Sequence, residues 1–129
     1  MRIAYCAAPL SAGARADRVR LLERADAFAG AVAALGFATF LPHRAIAMVI
    51  QPTYPDEPET PEIRDRCMAE CLRALRAIWM SSGELHVLRR PDGLLSTGCA
   101  AEVADWESWG GKPIYWTWPI DGVLARRTE

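Results

Sequence analysis

Several features are scarce in this sequence, and each scarcity excludes a class of protein. Basic and acidic residues nearly balance, 15 against 16, so the chain has no general electrostatic attraction for nucleic acid. Its four cysteines are scattered, unlike the paired framework of a small secreted domain. The longest uncharged stretch, Ala27–Pro42, is too short and too interrupted by glycine to cross a membrane. The N-terminus has too short an apolar run for a signal peptide, so we expect a cytoplasmic protein with reduced thiols.

The sequence contains instead an alternation of strand-like and helix-like segments. Its 129 residues fit one domain spanning residues 1–129. This alternation predicts an α/β fold, a Rossmann-like (flavodoxin-like) three-layer sandwich with four to five mainly parallel strands. The predicted strands are Arg2–Ala7, Phe37–Leu41, Glu84–Leu88 and Lys112–Trp116, the last followed by a polar tail, and the predicted helices are Arg15–Leu35, Glu62–Met80 and Gly98–Trp109.

An irregular segment interrupts this pattern between Pro42 and Pro61. It is rich in proline and acidic residues, and within it Ala45–Ile50 can form a short helix. Long loops inside a compact domain are usually functional or mobile. Thr60, Pro61 and Glu62 then have the character of a helix start: a capping residue, a proline at the first helical position and an acid in the first turn.

The helix that follows carries two adjacent apolar stripes, one through Cys67 and Cys71 and one through Leu72 and Leu75. So wide an apolar face must be buried inside the domain or against a second copy of the chain. We therefore expect a homodimer or a higher homo-oligomer. The tryptophans near the C-terminus favour the same two environments, core packing or a subunit interface.

Polar residues follow three of the predicted strands at the point where each strand ends. Ligands of open α/β sheets bind at the carboxyl ends of the strands, so these residues should converge on one edge of the sheet. The residues concerned are Ser11, Gly13 and Arg15 after the first strand, His43 and Arg44 after the second, and Ser96, Thr97 and Gly98 after the third.

The segment from Ser96 to Glu102 is the most informative of these. Ser96 or Thr97 can cap a helix, and Gly98 allows a ligand to approach backbone N–H groups at the positive end of the helix dipole. Glu102 lies about one turn further on, among alanines that leave it free to point into a cleft. The alternative is an ordinary helix start with a solvated glutamate.

These residues resemble a known family. The chain is similar to the nucleoside 2-deoxyribosyltransferase-like superfamily, which includes nucleoside deoxyribosyltransferases and nucleotide N-glycosidases. The likeness covers nearly all of the chain except Met48–Pro61. The motifs that carry it are Tyr5-Cys6-Ala7-Ala8-Pro9-Leu10, Ser96-x-Gly98-x-x-x-Glu102 and Gly111-Lys112-Pro113-Ile114, with Pro42-His43 and Arg64-Asp65-Arg66 in support.

The resemblance implies a retaining reaction at an N-glycosidic bond, with Glu102 as the nucleophile. A second acid must assist departure of the base, and Asp65 is the candidate, with Glu70 next. The substrate would be a nucleoside or its 5′-monophosphate, with no cofactor and no metal. The substrate-binding residues expected on this basis are Tyr5, Ser11, Gly13, Arg15, His43, Ser96 and Gly98.

One histidine and three cysteines are interpreted separately from this site. His86 falls within a strand and is expected to be a satisfied core or edge residue. Cys67 and Cys71 are four residues apart, but without a Cys-x-x-Cys motif core packing is favoured over metal binding. Cys99 stands near a helix N-terminus, which is expected to lower the pKa of its thiol.

Three functions compete at this point. The first is an enzyme that cleaves or transfers at an N-glycosidic bond. The second is a catalytically silent nucleotide-binding or sensing module of the same fold. The third is an assembly protein whose broad helix and tryptophans form an oligomer surface.

Overall fold

A computed structural model describes residues 2–120 and 126–128 of the chain. They form a five-stranded sheet in the order β2-β1-β3-β4-β5, in which the first four strands are parallel and β5 is antiparallel to β4. The strands are β1 (Ile3–Ala7), β2 (Ala38–Phe40), β3 (Glu84–Leu88), β4 (Ile114–Trp116) and β5 (Arg126–Thr128), and the helices are α1 (Arg15–Ala33), α2 (Met48–Ile50), α3 (Pro61–Met80) and α4 (Thr97–Ser108).

Helices cover both faces of the sheet, so the predicted three-layer α/β sandwich is confirmed. Side chains alternate along each strand, and β1 shows the consequence clearly. Ala4 and Cys6 face α1, where they pack with Phe28. Tyr5 and Ala7 face the opposite side and join the core formed with α3 and α4. None of the helices among residues 2–120 is long and apolar enough to cross a membrane.

The helix boundaries follow the capping residues that the sequence indicates. The Thr60 hydroxyl accepts the Ile63 N–H at 3.2 Å, with Pro61 at the first helical position of α3. Gly36 follows α1 with a φ of +97°, a conformation that glycine adopts without strain. These local signals place the starts and ends of the long helices close to their predicted positions.

Two parts of the chain differ from the predicted pattern. The polar tail contributes β5, which pairs with β4 and makes the fifth strand of the sheet. The segment after β2 forms a π-helical turn, His43–Ala47, that leads directly into α2. The prediction of a short helix at Ala45–Ile50 was therefore right in kind but began two residues late.

His86 is a fully buried part of the core, as the sequence predicted. Its Nδ1 accepts the Trp116 indole N–H at 3.0 Å, and its Nε2 lies 2.9 Å from the Glu84 carboxylate. Glu84 also pairs with Arg2 at 3.0 Å. The contacts assign the tautomer, because an Nδ1 that accepts a hydrogen bond leaves the proton on Nε2.

Three tryptophans pack where α3 and α4 end. The rings of Trp79 and Trp106 meet edge to face with centroids 5.0 Å apart, and Trp109 lies 6.4 Å from Trp106. Gly111 lies against this cluster: a Cβ built there would be 2.6 Å from Trp106 Cδ1 and 2.8 Å from Trp79 Cζ3. A side chain at position 111 is thus excluded by the packing of two rings.

We predict that Gly111→Ala lowers the free energy of unfolding by about 1 to 3 kcal/mol, because the added methyl forces the tryptophans apart. Gly30→Ala is the matched control. It places a methyl in open space on α1 and should be neutral or stabilising by up to about 1 kcal/mol. Urea unfolding of the two variants and the parent measures both effects. Equal stability of all three proteins would contradict the packing described here.

Candidate active site

A cavity of about 920 Å³ opens at the carboxyl ends of the parallel strands. Its walls come from the loop after β1, the turn after β2, the start of α3 and the start of α4, as the sheet topology requires. Seven of the nine expected site residues line it: Ser11, Gly13, His43, Asp65, Ser96, Gly98 and Glu102. Tyr5 and Arg15 are not part of its lining.

Glu102 is the buried acid of this cavity. Only 5% of the residue is exposed, and its Oε2 accepts a short hydrogen bond from the Tyr5 hydroxyl. Burial raises the pKa of the Glu102 carboxyl to about 7, against the opposing effect of the hydrogen bond from Tyr5. The alternative of a solvated glutamate at an ordinary helix start is therefore wrong. At neutral pH both the protonated and the ionised forms of Glu102 are present.

Tyr5 contacts Glu102 from the core side of the carboxyl and does not line the cavity. Its side chain is fully buried in the centre of β1, where it also stacks on Phe40 with ring centroids 5.5 Å apart. Burial and the neighbouring Glu102 charge raise the pKa of Tyr5 well above its usual value, so the hydroxyl remains a donor. The expectation that Tyr5 binds substrate is corrected, since β1 directs its ring into the core and its hydroxyl to the carboxylate.

The start of α4 brings a helix N-terminus to the cavity wall. Ser96 caps the helix by accepting the Cys99 N–H at 3.2 Å. A Cβ added to Gly98 would lie 3.1 Å from the terminal methyl of Met68. Gly98 therefore permits close packing against α3 and keeps the backbone at the cavity wall accessible.

Arg15 is displaced from its expected role. Its Nε pairs with Asp56 Oδ1 at 2.8 Å, and both side chains are exposed. The arginine of α1 that lines the cavity is Arg18, one turn further along the helix, which is 4% exposed. Asp56 holds Arg15 on the outer surface, so Arg18 and not Arg15 lines the cavity. Sequence spacing contains no signal that distinguishes the two.

Arg18 joins two loops through backbone carbonyl oxygens. Its guanidinium donates to the carbonyls of Gly13 at 2.7 Å, Ala12 at 3.1 Å, Pro55 at 2.8 Å and Asp56 at 3.3 Å. These bonds fasten the segment Gln51–Glu59, which we call the strap, to the loop after β1. The irregular segment of the sequence is thus an ordered wall of the cavity.

The strap contributes a carboxyl that the sequence analysis missed. Glu59 lines the cavity, is partly buried, and its Oε1 accepts the Ser11 hydroxyl at 3.3 Å. Of the expected acids, Asp65 lines the cavity from an exposed position near the start of α3. Glu70 does not line it and pairs with Arg73 at 3.0 Å. The only sequence signal for Glu59 as a cavity residue is its position immediately before Thr60, the N-cap of α3.

His43 is held by a carboxylate at the cavity wall. Its Nε2 lies 2.7 Å from Asp26 Oδ1, and Arg44 pairs with the other oxygen of Asp26. The Arg44 hydrogen bond lowers the pKa of Asp26, and burial lowers the pKa of His43. An ionised Asp26 therefore accepts the Nε2 proton of a neutral imidazole, which leaves Nδ1 with a lone pair.

All four cysteines line the cavity as uncharged thiols. Burial raises the pKa of Cys6, Cys71 and Cys99 to about 12 and that of Cys67 to about 11. The expected lowering at Cys99 is wrong, because complete burial and the nearby Glu102 charge outweigh the helix N-terminus. Within residues 2–120, no group of three or more His, Cys, Asp or Glu side chains is placed to hold a metal ion.

We predict that Glu102→Gln stabilises the protein increasingly as pH rises from 5 to 8. The native carboxyl, with its pKa of about 7, holds a proton that an unfolded glutamate with a pKa of 4.5 has lost. Native stability therefore falls with rising pH over this interval, by up to about 3 kcal/mol at roughly 1.4 kcal/mol per pH unit. Glutamine mimics the neutral form and avoids this loss.

Urea unfolding at several pH values measures the difference between this variant and the parent. Glu107→Gln, an exposed substitution on the same helix, serves as the control and should show no such trend. A stability difference for Glu102→Gln that is constant from pH 5 to 8 would contradict the buried state of this carboxyl.

Comparison with known proteins identifies no relative of this chain. No family model, no curated protein and no solved structure matches the chain. The functional inference therefore depends on the chemistry of the cavity itself.

Proposed function

We propose that this protein cleaves or transfers at the N-glycosidic bond of a nucleoside or nucleoside 5′-monophosphate, as members of the nucleoside 2-deoxyribosyltransferase-like superfamily do. The observation that carries the proposal is a single buried carboxyl, Glu102, at the wall of a cavity shared with Ser96, Gly98 and the loop after β1. The proposed reaction requires no cofactor, and the four free cysteines suit the proposed location in the cytoplasm.

The reaction begins with the ionised form of Glu102. Its carboxylate oxygen forms a bond to C1′ while the bond from C1′ to the base nitrogen breaks, through an oxocarbenium-like transition state. The base leaves with the electron pair and needs a proton, and Asp65, which lines the cavity, is the proposed donor. Water then attacks C1′ of the ester and gives a proton to the Asp65 carboxylate, which restores both Glu102 and Asp65. In a transferase, a second base attacks C1′ instead and gives its ring N–H proton to Asp65.

Two helix N-termini support an anionic group on the substrate. α1 begins without a side-chain cap, next to Ser11 and Gly13, and α4 begins at Ser96. The positive ends of both helix dipoles therefore meet the cavity, an arrangement that favours a phosphate. We assign the 5′-phosphate or sugar hydroxyls to this region of the site.

His43 supplies a hydrogen-bond acceptor to the same cavity. The imidazole is neutral and oriented by Asp26, so its Nδ1 can accept a hydrogen bond from a base or sugar donor. This role fits the expectation that His43 contacts substrate and requires no change in its protonation.

A binding or sensing module is the second candidate function. The exposed position of Asp65 favours it, because a carboxyl that must deliver a proton at neutral pH usually lies in a buried environment. Such a module would be stabilised thermally by nucleotides without cleaving them. The proposed homodimer or higher homo-oligomer remains a prediction, whose test is the mass of the protein in solution.

We predict that Glu102→Gln lowers the rate of base release by about 10³-fold or more, since the nucleophile is removed. Release of free base from a panel of ribo- and deoxyribonucleoside monophosphates, followed chromatographically, measures it. Glu107→Gln should retain the parent rate. Loss of activity in both variants, or in neither, would refute the assignment of Glu102.

We predict that Tyr5→Phe moves the acidic limb of the pH–rate profile to higher pH. The parent limb should lie near pH 7, and the variant loses the hydrogen bond that favours the ionised carboxylate. The rate should fall roughly 10-fold at pH 6 and recover toward the parent value at pH 9. Tyr5, Cys71 and Cys99 stay protonated over this range, so the limb reports Glu102. An equal loss at every pH would mean that Tyr5 is merely structural.

A further inference from the structure

Glu102 is a buried carboxyl without a cationic partner among the described residues. Its hydrogen bond comes from the uncharged Tyr5 hydroxyl, and within residues 2–120 it forms no ion pair with an arginine, lysine or histidine. The thiols of Cys71 and Cys99 that face it are also uncharged. A buried carboxylate that lacks a counter-charge is costly to ionise, and a positively charged ligand group would remove much of that cost.

The cavity also lacks a second carboxyl in a buried environment. Among its described residues, Asp65 is exposed and Glu59 is half-buried against the Ser11 hydroxyl. Enzymes that protonate a leaving group at neutral pH usually bury the acid that does so. In this cavity the buried carboxyl is Glu102, the proposed nucleophile. This arrangement suits a leaving group that departs without receiving a proton.

The cavity has room and positive charge for more than a base and a sugar. Its volume of about 920 Å³ lies near the upper end of the roughly 300 to 1,000 Å³ typical of small-molecule sites. Arg64 and Arg90 line it. Arg90 pairs with Asp92 at 2.8 Å, whereas Arg64 forms no ion pair within the described part of the chain. A guanidinium in this position suits a phosphate oxygen.

We propose that the preferred substrate is a pyridinium ribonucleotide, in which the positively charged ring nitrogen is bonded to C1′ of a phosphate-bearing ribose. The juxtaposition that carries this proposal is the buried, unpaired Glu102 carboxyl in a large cavity that Arg64 also lines. It rests on the proposed function and specifies its substrate class.

The chemical step balances without an acid. The Glu102 oxygen forms a bond to C1′ as the bond between C1′ and the ring nitrogen breaks, and the electron pair of that bond neutralises the pyridinium. The departing group is a neutral pyridine and needs no proton. Water then attacks C1′ of the glycosyl ester, which restores the Glu102 carboxylate and releases one proton to solvent.

The test compares cationic and neutral leaving groups on the same enzyme. NAD⁺, nicotinamide mononucleotide and nicotinamide riboside are the pyridinium probes, and AMP, dAMP, CMP and dCMP are the neutral ones. We expect nicotinamide release from the two phosphate-bearing pyridinium probes to exceed base release from every neutral probe by at least about 10²-fold, the usual contribution of a general acid. Glu102→Gln should abolish it, and Glu107→Gln should retain it.

The pH profile and one arginine variant sharpen the test. Nicotinamide release should rise through pH 7 and stay level to pH 9, because only Glu102 must ionise. Arg64→Gln should raise KM for nicotinamide mononucleotide about 10-fold and leave KM for nicotinamide riboside unchanged. A fall in rate above pH 7, or an equal change in KM for both probes, would contradict the acid-free step or the phosphate contact respectively.

The outcomes separate this inference from the proposed function. Glu102-dependent base release from neutral nucleotides, with pyridinium probes cleaved no faster, would overturn the substrate class and leave the proposed function standing. No release from any probe at high enzyme concentration would overturn both. Preferential nicotinamide release that disappears in Glu102→Gln would support both.

Discussion

The hydrogen bond from Tyr5 to Glu102 is the interaction on which the site depends. It joins the centre of β1 to the second turn of α4 across the core, and both residues are buried. Burial raises the pKa of the carboxyl and the hydrogen bond from Tyr5 lowers it, and the balance of the two effects is a pKa of about 7. The carboxyl is thus available as an anion at physiological pH without a cationic neighbour.

The fold explains why Glu102 faces a cavity. Parallel strands bring the loop after β1 and the start of α4 to one edge of the sheet, and the strap Gln51–Glu59 closes a side wall. Arg18 joins the strap to the loop after β1 through two carbonyl oxygens on each side. A buried guanidinium bound to carbonyls stabilises the wall and adds positive potential nearby.

Much of the fold was predictable because it follows local rules. Alternating periodicity, the caps at Thr60 and Ser96 and the glycine after α1 all act within a few residues, and they placed the long helices and parallel strands. The strand β5 was not predictable, since its pairing with β4 is a tertiary contact and its sequence is polar. The π-helical turn after β2, His43–Ala47, was not predictable from local sequence either.

The site was predictable only in part, for a similar reason. Chain topology brings Glu102, Ser96 and Gly98 to the cavity, so reasoning from strand ends located them. The direction of a side chain depends on neighbours distant in sequence. Asp56 draws Arg15 outward, and the core side of β1 receives Tyr5. These two residues are therefore the expected site residues that lie outside the cavity lining.

Direct titration of the Glu102 carboxyl tests the central claim without any assumption about substrate. Carbon-13 NMR of protein labelled at glutamate side-chain carboxyls, with the Glu102 signal assigned by its loss in Glu102→Gln, gives its protonation at each pH. The account predicts a midpoint near pH 7 for this carboxyl. A midpoint near 4.5, the ordinary value of a glutamate, would contradict the buried and unpaired state on which the proposed chemistry depends.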